Sequence, residues 1–464
     1  MSAVPKRKEP PGPSTGLKRW SLGPLNNGDP LGYFTQLVHD YGDVIGLRVL
    51  NFRILLINHP KDIEDVLVTH PRKFVKGRVL QANKRVFGRG LLTSEGDFWL
   101  RQRRLAQPAF HRARIAGYAS TMVEYTERLL HEWHDGEERD IHKEMMRLTL
   151  QIVGKTLFDA DVERDAQDVG KSLELLLELG ANFRRTILIP QWVPTPTNLR
   201  LERAIRQIEK VLYRIIAEKR ASGRDAGDLL SMLLAAQDED GSRMTDQQLR
   251  DEAITLFLAG HETTANTLSW TWWLLAQNPS VEAKLHAELN SVLAGRSPSL
   301  DDLPNLTYTN HVITESLRLY PPAWGTARTA IEDVEIAGYP VPKGSGVSFT
   351  QWTIHRDPRW YDAPLEFRPE RWEGDLLKRI PRFAYFPFGG GPRQCIGNTF
   401  ALMESALTLA TIAQHYRFRL VAGHPVVPLA SITLRPRHGI RVLLESRSAK
   451  PSPALLRAAA ESAA

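Results

Sequence analysis

Apolar residues recur at helical spacing along most of the chain, and such stretches outnumber those with the alternation of a strand. The stretches with this spacing are Leu31–Tyr41, Lys61–Thr69, Gly117–Glu132, His142–Phe158, Gln167–Leu179, Leu199–Ala221, Thr245–Gln277, Val281–Leu293, Tyr308–Leu319 and Thr399–Ala413. The pattern therefore predicts that helices dominate the fold.

Strand patterns are shorter and fewer. Two apolar runs, Val44–Leu50 and Phe52–Ile57, are separated by a single asparagine and predict a hairpin. Glycines and prolines within 335–350 indicate short strands joined by turns. Two further strands are expected near Arg417–Val421 and Ile440–Leu444. These segments are too few for a large sheet.

The longest helical signal runs from Thr245 to Gln277. Thr245 and Gln248 have the spacing of a capping box, and an Asn-Pro pair ends the run. Its middle and second half are apolar nearly all round, which predicts burial. Its centre nevertheless carries Glu262, and a buried acid is costly unless it has a partner or a function. The pattern alone is equally compatible with a core helix bent by its threonines, in which water satisfies the acid.

No linker or change in composition divides the chain, so we expect one domain over residues 29–446. Residues 1–28 are rich in Pro, Gly and Lys, and residues 447–464 are rich in Pro, Ala and Ser, so both are predicted to be flexible tails. The apolar, proline-broken segment 183–196 is compatible with a mobile lid over a pocket or with a packed loop, and the sequence leaves both open.

The composition is that of an ordinary globular protein, with 464 residues, 42% of them hydrophobic and 24% charged. A single cysteine excludes a disulfide framework and is compatible with a reducing compartment. The N-terminus lacks the apolar core of a signal peptide, and no apolar segment reaches membrane length. We therefore expect a soluble, cytoplasmic protein without a membrane anchor.

The formal net charge is +7, and basic residues concentrate in one part of the chain. They are Arg72, Lys73, Lys76, Arg78, Lys84, Arg85, Arg89, Arg101, Arg103, Arg104, Arg112 and Arg114. Residues 70–96 are predicted to be mostly irregular. The default interpretation of the basic run is a solvated face, and no nucleic-acid motif accompanies it, so no nucleic-acid partner is predicted.

The single cysteine, Cys395, lies in the sequence F-G-G-G-P-R-Q-C-I-G at residues 388–397. Three consecutive glycines let the backbone bend sharply and approach a flat, bulky group. Pro392 stiffens the turn, and Arg393 supplies a fixed cation to an anionic group. The helical run that follows would place a helix N-terminus where it stabilises a thiolate. A lone cysteine is more often a small buried hydrophobe, so the flanking pattern has to decide.

That flanking pattern, F-x-x-G-x-R-x-C-x-G, resembles the haem-binding loop of the cytochrome P-450 family at every defining position. Four more motifs of the family precede it in the family's order. They are W-x-x-x-R at Trp99 and Arg103, A-G-x-E-T-T at 259–264, E-x-x-R at Glu315 and Arg318, and P-E-R ending at Arg371. The resemblance, to a soluble bacterial-type member, covers about residues 95 to 405, and the first and last strands agree only loosely.

The resemblance implies a mainly α fold with small β-sheets, a single domain around a buried haem b. It makes Cys395 the thiolate ligand of the haem iron. Contacts with the cofactor are implied for Arg393, Trp99, Arg103, Arg328 and Phe388, the first four as propionate partners. It also implies that Glu315, Arg318 and Arg371 form a structural cluster that locks the loop presenting Cys395.

The resemblance further implies a monooxygenase, which inserts one atom of O2 into a hydrophobic organic substrate. Glu262 would relay protons, and Thr263 would hydrogen-bond the oxygen molecule and ordered water. Electrons would come from a separate ferredoxin or flavodoxin-type donor with its NAD(P)H reductase, and the basic run would dock that donor. A fatty acid, a terpenoid and a steroid all remain possible substrates.

Two other functions remain open at this point. A peroxygenase would use peroxide without a donor, and dependence on NAD(P)H and a reductase distinguishes the two. A non-catalytic haem-thiolate sensor would not bind organic ligands persistently with a spin shift. The Glu262-Thr263 pair disfavours both alternatives.

Overall fold

A computed structural model describes residues 9–13, 29–49, 51–159, 172, 175–176, 193–223, 227–237 and 241–447. Most of the predicted tails, of the helix predicted at 167–179 and of segment 183–196 lie outside the described residues. The expected boundaries of the domain, at 29 and 446, stay predictions.

Helices make up most of the described chain, as the apolar spacing predicts. They are α1 (Pro30–Tyr41), α2 (Pro60–Glu64), α3 (Arg78–Ala82), α4 (Lys84–Phe87), α5 (Gly96–Ala106), α6 (Arg112–Ala116), α7 (Ala119–His131), α8 (Ile141–Phe158), α9 (Pro196–Ser222), α10 (Leu229–Ala235), α11 (Asp246–Gln277), α12 (Pro279–Leu293), α13 (Thr307–Leu319), α14 (Gln351–Ile354), α15 (Leu376–Arg379) and α16 (Asn398–His415). A π-helical turn, Asp65–Thr69, continues α2. Among the described residues, no helix combines the length and the apolar character needed to cross a bilayer.

Helix α11 is the longest helix of the described residues, and several other helices pack around it. The predicted capping box is confirmed, since Thr245 Oγ1 accepts from the Gln248 amide at 3.2 Å and the Gln248 side chain accepts from the Thr245 amide at 2.9 Å. The helix packs along α8, and a Cβ at Gly260 would lie 3.1 Å from Val153 Cγ2. The missing side chain at Gly260 therefore permits close packing of the two helices, and α11 continues through this point without a break.

The strands form small, separate sheets. They are β1 (Val44–Val49), β2 (Phe52–Ile57), β3 (Phe74–Lys76), β4 (Glu138–Asp140), β5 (Thr326–Ala330), β6 (Val334–Ile336), β7 (Tyr339–Val341), β8 (Gly346–Phe349), β9 (Tyr416–Leu420), β10 (Pro428–Ala430), β11 (Leu434–Pro436) and β12 (Arg441–Ser446). A five-stranded sheet has the order β1-β2-β8-β5-β3, and a three-stranded sheet has the order β4-β12-β9. The pairs β6-β7 and β10-β11 are hairpins, and the predicted hairpin β1-β2 is confirmed.

The prediction that residues 70–96 are mostly irregular is wrong. This stretch contains β3, α3 and α4. Strand β3 exists because it pairs with β5, which places Phe74 opposite Ala330 and Lys76 opposite Arg328. A three-residue strand that depends on a partner so distant in the chain has no local periodicity to reveal it.

The predicted cluster of one acid and two arginines is confirmed. Glu315 and Arg318 are fully buried, and Arg318 donates two hydrogen bonds of 2.8 Å to the Glu315 carboxylate. Arg371 Nε donates to the same carboxylate at 2.8 Å. Arg318 also donates to the His355 carbonyl at 2.7 Å, and His355 Nε2 accepts from the Phe386 amide at 3.0 Å. The cluster is thus connected, through His355, to the chain that enters the cysteine loop.

Candidate active site

The cysteine loop, residues 388–397, is closed on itself and wedged against a neighbouring turn. The Cys395 amide donates to the Phe388 carbonyl at 3.0 Å. Gly391 has a φ of +65°, and a Cβ there would overlap the carbonyl oxygen of Leu67 in the π-helical turn. The closest group to Gly391 is therefore the protein's own backbone, which fixes the loop and leaves room for no other residue.

Cys395 is accessible and yet lies deep in the protein. Its side chain has exposed surface, but the surrounding protein desolvates the sulfur and raises its pKa. The Gly397 backbone amide, Arg103 and Lys76 all act in the opposite direction without cancelling this effect. A side chain can be both accessible and desolvated when it faces an internal space. Burial disfavours a free thiolate here, and a coordinated metal ion is what deprotonates a cysteine in such surroundings.

The centre of α11 also has an accessible face. Ala259 is exposed and Thr263, one turn later, is partly exposed, although the residues around them are buried. Thr263 Oγ1 donates to the Ala259 carbonyl at 2.7 Å. The adjacent Thr264 lies against Glu404 in the second turn of α16. Beside its accessible face, α11 thus packs against α16, the helix that begins three residues after Cys395.

Glu262 lies on the buried side of α11, with 2% of its surface exposed. Its partner is a side chain, because Thr433 Oγ1 donates to Glu262 Oε1 at 2.7 Å. Burial raises the pKa of Glu262 to about 7, while Thr433 and Arg435 act to lower it. A carboxyl group with this pKa can hold and release a proton near neutral pH.

Arg393 and Trp99 are brought together beside the loop. The Arg393 guanidinium lies 3.8 Å from the centre of the Trp99 ring, pairs with Glu95 and donates to the Ser94 carbonyl at 2.9 Å. Arg328 is 8% exposed, and its recorded hydrogen bond goes to the carbonyl of the preceding residue. Burial and then the nearby charge of Arg393 lower the pKa of Arg328, so these two predicted propionate partners lie close together.

Lys76 is a third cation in this group, and the sequence did not single it out. Burial, followed by the charges of Arg328 and Arg393, lowers the pKa of Lys76 to about 7. Burial also lowers the pKa values of Arg328 and Arg393 to about 10. Glu95 is the carboxylate that acts on all three. We call Lys76, Arg328 and Arg393 the cation cradle, which has an excess of positive charge and suits a ligand with two carboxylates.

The interpretation of the basic run as a solvated face is therefore wrong for Lys76. Its place in β3, opposite Arg328, directs it inward. Arg103 makes different contacts from the residues of the cation cradle. Its Nη1 donates to the Gln394 carbonyl at 3.0 Å and its Nε to Gln107 at 3.0 Å. Arg103 thus holds the backbone of the cysteine loop from the side of α5.

Two acids near the start of α11 hold the segment that precedes α5, and neither stands in a motif that would have selected it from the sequence. Asp251 accepts from the Arg89 backbone amide at 2.7 Å, and Glu252 accepts from the Leu91 amide at 3.0 Å. Glu252 also accepts from Gln102 at 3.1 Å, and burial raises its pKa to about 7. We call this pair of backbone contacts the amide clamp.

Glu404 is a further buried acid that the sequence did not single out. It is fully buried on α16, and neither carboxyl oxygen has a hydrogen bond of normal geometry among the described residues. Thr264 is near enough to moderate the pKa of Glu404, which burial nevertheless raises well above its usual range. A lone charge in an otherwise apolar helical run was the available signal. Glu404 is accordingly a buried acid between α11 and α16 in which burial favours the protonated form.

The donor set fits an iron porphyrin. A deep, accessible cysteine on a rigid loop supplies a thiolate ligand, and the cation cradle suits two propionates. Fold and site together define the haem-thiolate class of protein.

Comparison with known proteins agrees. The cytochrome P-450 family model matches residues 10–442. The chain is similar to cyclooctatin synthase from Streptomyces melanosporofaciens, with 39% identity over 87% of this chain and 89% of the relative. It is also similar to cyclooctat-9-en-7-ol 5-monooxygenase from the same organism (38%, 85% and 86%) and to pentalenene oxygenase from Streptomyces avermitilis (35%, 90% and 93%).

The chain therefore belongs to the cytochrome P-450 family. It is a haem-thiolate monooxygenase, an oxidoreductase that inserts one atom of O2 into a hydrophobic organic substrate with electrons from redox partners.

Proposed function

We propose that this protein oxidises a terpenoid at a haem b whose iron is ligated by Cys395. The terpenoid class is supported by the names of the relatives, which include an oxygenase of pentalenene and a monooxygenase of cyclooctat-9-en-7-ol. Fatty acids and steroids, which the sequence left equally open, have no such support. The observation that carries the haem site is the cation cradle beside the cysteine loop.

The protein side chains that would hold haem b divide into two groups. Cys395 ligates the iron, while the cation cradle and Trp99 receive the propionates. Arg103 and the Phe388 carbonyl act on the loop backbone and keep Cys395 in place. The haem, when bound, supplies the centre at which two electrons activate O2 for transfer of one oxygen atom.

Glu262 and Thr263 would deliver the protons that this reaction consumes. The Thr263 hydroxyl donates to Ala259, so its oxygen remains an acceptor on the accessible face of α11. Glu262 adjoins it on the buried side, with a pKa of about 7. Glu262 would thus hold a proton away from bulk water, while the Thr263 hydroxyl lies on the accessible face of α11. This division of work suits general acid catalysis.

The electron donor would be a ferredoxin or flavodoxin with an NAD(P)H reductase. Gln394 is exposed in the cysteine loop, and the loop contacts α5 and the turn that meets Gly391. Arg104 on α5 and Arg72 beyond that turn are both exposed. These charges would raise the association rate of an acidic donor. The expected cytoplasmic location stays a prediction.

The first test is the optical spectrum of the reduced protein with carbon monoxide. We expect a red-shifted Soret band in the wild type and in Gln394→Ala, which changes an exposed side chain next to the cysteine. Cys395→Ala should lack the band because the thiolate is lost. A haem-loaded wild type without the band would contradict the assignment of Cys395.

The substrate class is tested separately, by titrating the oxidised protein with a cyclic terpene, a terpene alcohol, a long-chain fatty acid and a steroid. A terpenoid should give the tightest binding with a shift in spin state, and it should be oxidised in the presence of NAD(P)H, ferredoxin and reductase. Tighter binding of the fatty acid would overturn the substrate class without affecting the haem assignment.

A further inference from the structure

Thr433 connects the β10–β11 hairpin to the acid of α11. It lies just before β11 and is 7% exposed. Its hydroxyl donates to Glu262 Oε1 at 2.7 Å, and Asn266 Nδ2 donates to the same hydroxyl oxygen at 3.3 Å. Glu262 and Asn266 are one turn apart on α11, so both face the hairpin.

The chemistry of these three groups fixes the direction of the hydrogen bonds. An amide nitrogen can only donate, so the Thr433 oxygen is the acceptor toward Asn266. Among the contacts that the described residues make to this hydroxyl, Glu262 Oε1 is the group that can accept its proton. With Thr433 donating to Oε1, Oε2 is the oxygen free to carry a proton.

The hairpin holds Thr433 firmly in this position. Trp270 Nε1 donates to the Leu434 carbonyl at 3.0 Å, and Trp324 Nε1 donates to the Ser431 carbonyl at 2.9 Å. The Leu434 amide donates to the Pro322 carbonyl at 2.9 Å. These hydrogen bonds fix the residues on both sides of Thr433 to α11 and to the segment after α13. They therefore keep the Thr433 hydroxyl close to Glu262.

Few charges act on Glu262 besides this contact. From the hairpin, Arg435 lowers the pKa of Glu262. From α8, His142 faces Arg435 and lies 3.2 Å from the Ser269 hydroxyl, and burial lowers its pKa to about 4. His261 on α11 is neutral for the same reason, with a pKa of about 4. From α16, Glu404 faces Thr264, and burial raises its pKa, which favours its protonated form.

We propose that Thr433 is a positioning residue for proton delivery, which turns the Glu262 carboxyl so that Oε2 releases the proton and receives its replacement. The inference rests on the proposed role of Glu262 as the proton donor. Each proton that leaves Oε2 is replaced by one from solvent water, and Thr433 itself neither gains nor loses a proton. The hydrogen bond also favours the carboxylate and so opposes the effect of burial on the Glu262 pKa.

The test compares Thr433→Val, which keeps the shape but removes the donor, with Thr433→Ser, which keeps the donor. The first readout is the infrared band of the protonated Glu262 carboxyl in haem-loaded protein, identified as the band that Glu262→Gln lacks. Loss of one hydrogen bond to a carboxylate should move the titration midpoint in Thr433→Val to higher pH by about one unit. Thr433→Ser should restore the midpoint toward that of the wild type.

The second readout is the share of consumed O2 that ends in product rather than in hydrogen peroxide. We expect this share to fall several-fold in Thr433→Val and to recover in Thr433→Ser, with the carbon monoxide band and substrate binding retained in both. Asn266→Ala serves if valine prevents folding, because it frees the Thr433 hydroxyl to rotate and should shift the midpoint in the same direction.

A midpoint and a product share in Thr433→Val equal to those of the wild type would overturn the proposal. If Glu262→Gln changes the product share in that case, Glu262 is still the proton donor and only the positioning role fails. If Glu262→Gln itself has no effect, the proposed role of Glu262 fails and the positioning role falls with it.

Discussion

At Lys76, burial and like charges act in the same direction. An ammonium group between Arg328 and Arg393, with Glu95 as the counter-charge, is held at a pKa of about 7. Bound propionates would reverse this balance, since an adjacent anion favours the charged form of a lysine. The side chain is thus unfavourable for the protein alone and favourable once a dianionic ligand is present.

We predict that Lys76→Met weakens haem binding without weakening the fold. Haem should dissociate roughly ten times faster, the loss expected for one hydrogen bond between charged groups. The haem-free protein should keep or gain stability, because a poorly compensated buried cation is removed. Lys73→Met is the control, since Lys73 is half-exposed and pairs with Glu332 on the surface. Unchanged dissociation of haem from Lys76→Met would exclude Lys76 from the cradle.

At the scale of elements, the cysteine loop depends on the turn it contacts. Gly391 and Gly389 have similar φ values, +65° and +70°, but only Gly391 has a neighbour within reach of a Cβ, the Leu67 carbonyl. Any non-glycine residue with such a φ costs about 1 kcal/mol. The two glycines therefore separate the cost of backbone strain from the cost of displacing the π-helical turn.

We predict that Gly389→Ala lowers the free energy of unfolding by about 1 kcal/mol and retains haem. Gly391→Ala should cost at least twice as much, about 2 kcal/mol or more, because the loop and turn have to separate. It should also lower the ratio of haem to purified protein. Unfolding in urea and the haem content measure the two effects, and equal losses in the two variants would contradict this account.

Elements with their own periodicity were predictable, and those that depend on distant partners were not. Helix α11 was predicted from Thr245 and is observed from Asp246, because a capping box and an apolar run are local signals. Strand β3 was missed because its partner, β5, is more than 200 residues away.

The residues of the candidate site also divide into those that the sequence predicts and those that it does not. The cysteine loop and Glu262 stand in recognisable motifs. Lys76, Thr433 and Glu252 have no motif, since only folding reveals that a basic run bends inward or that a hairpin hydroxyl reaches α11.

At the scale of the whole molecule, buried acids make stability depend on pH. Glu252 has a pKa of about 7 in the folded protein and 4.5 when solvated. Between these values the folded protein keeps a proton that the unfolded chain has released. Stability therefore falls as pH rises from about 4.5 to about 7 because of this group.

We predict that Glu252→Gln reduces this fall in stability. Between pH 5 and pH 7 the free energy of unfolding of the variant should decline less than that of the wild type. A glutamine at this position can keep both contacts of Glu252. Its oxygen can accept from the Leu91 amide, and its nitrogen can donate to the Gln102 side-chain oxygen once the Gln102 amide has turned over. Glu335→Gln, at an exposed position on β6, should follow the wild-type curve. Urea unfolding across this range is the measurement, and parallel curves for wild type and Glu252→Gln would refute the effect.

The amide clamp has a consequence for how this protein can change over generations. Asp251 and Glu252 hold the segment at residues 88–91 by its backbone, so the attachment does not depend on which side chains the segment carries. Gly88 and Gly90 have no such freedom, because a Cβ at either would overlap Asp251. The side chain at position 89 can therefore change without detaching the segment. Evolution can thus alter the exposed side chain at position 89 while the backbone contacts that hold the segment stay the same.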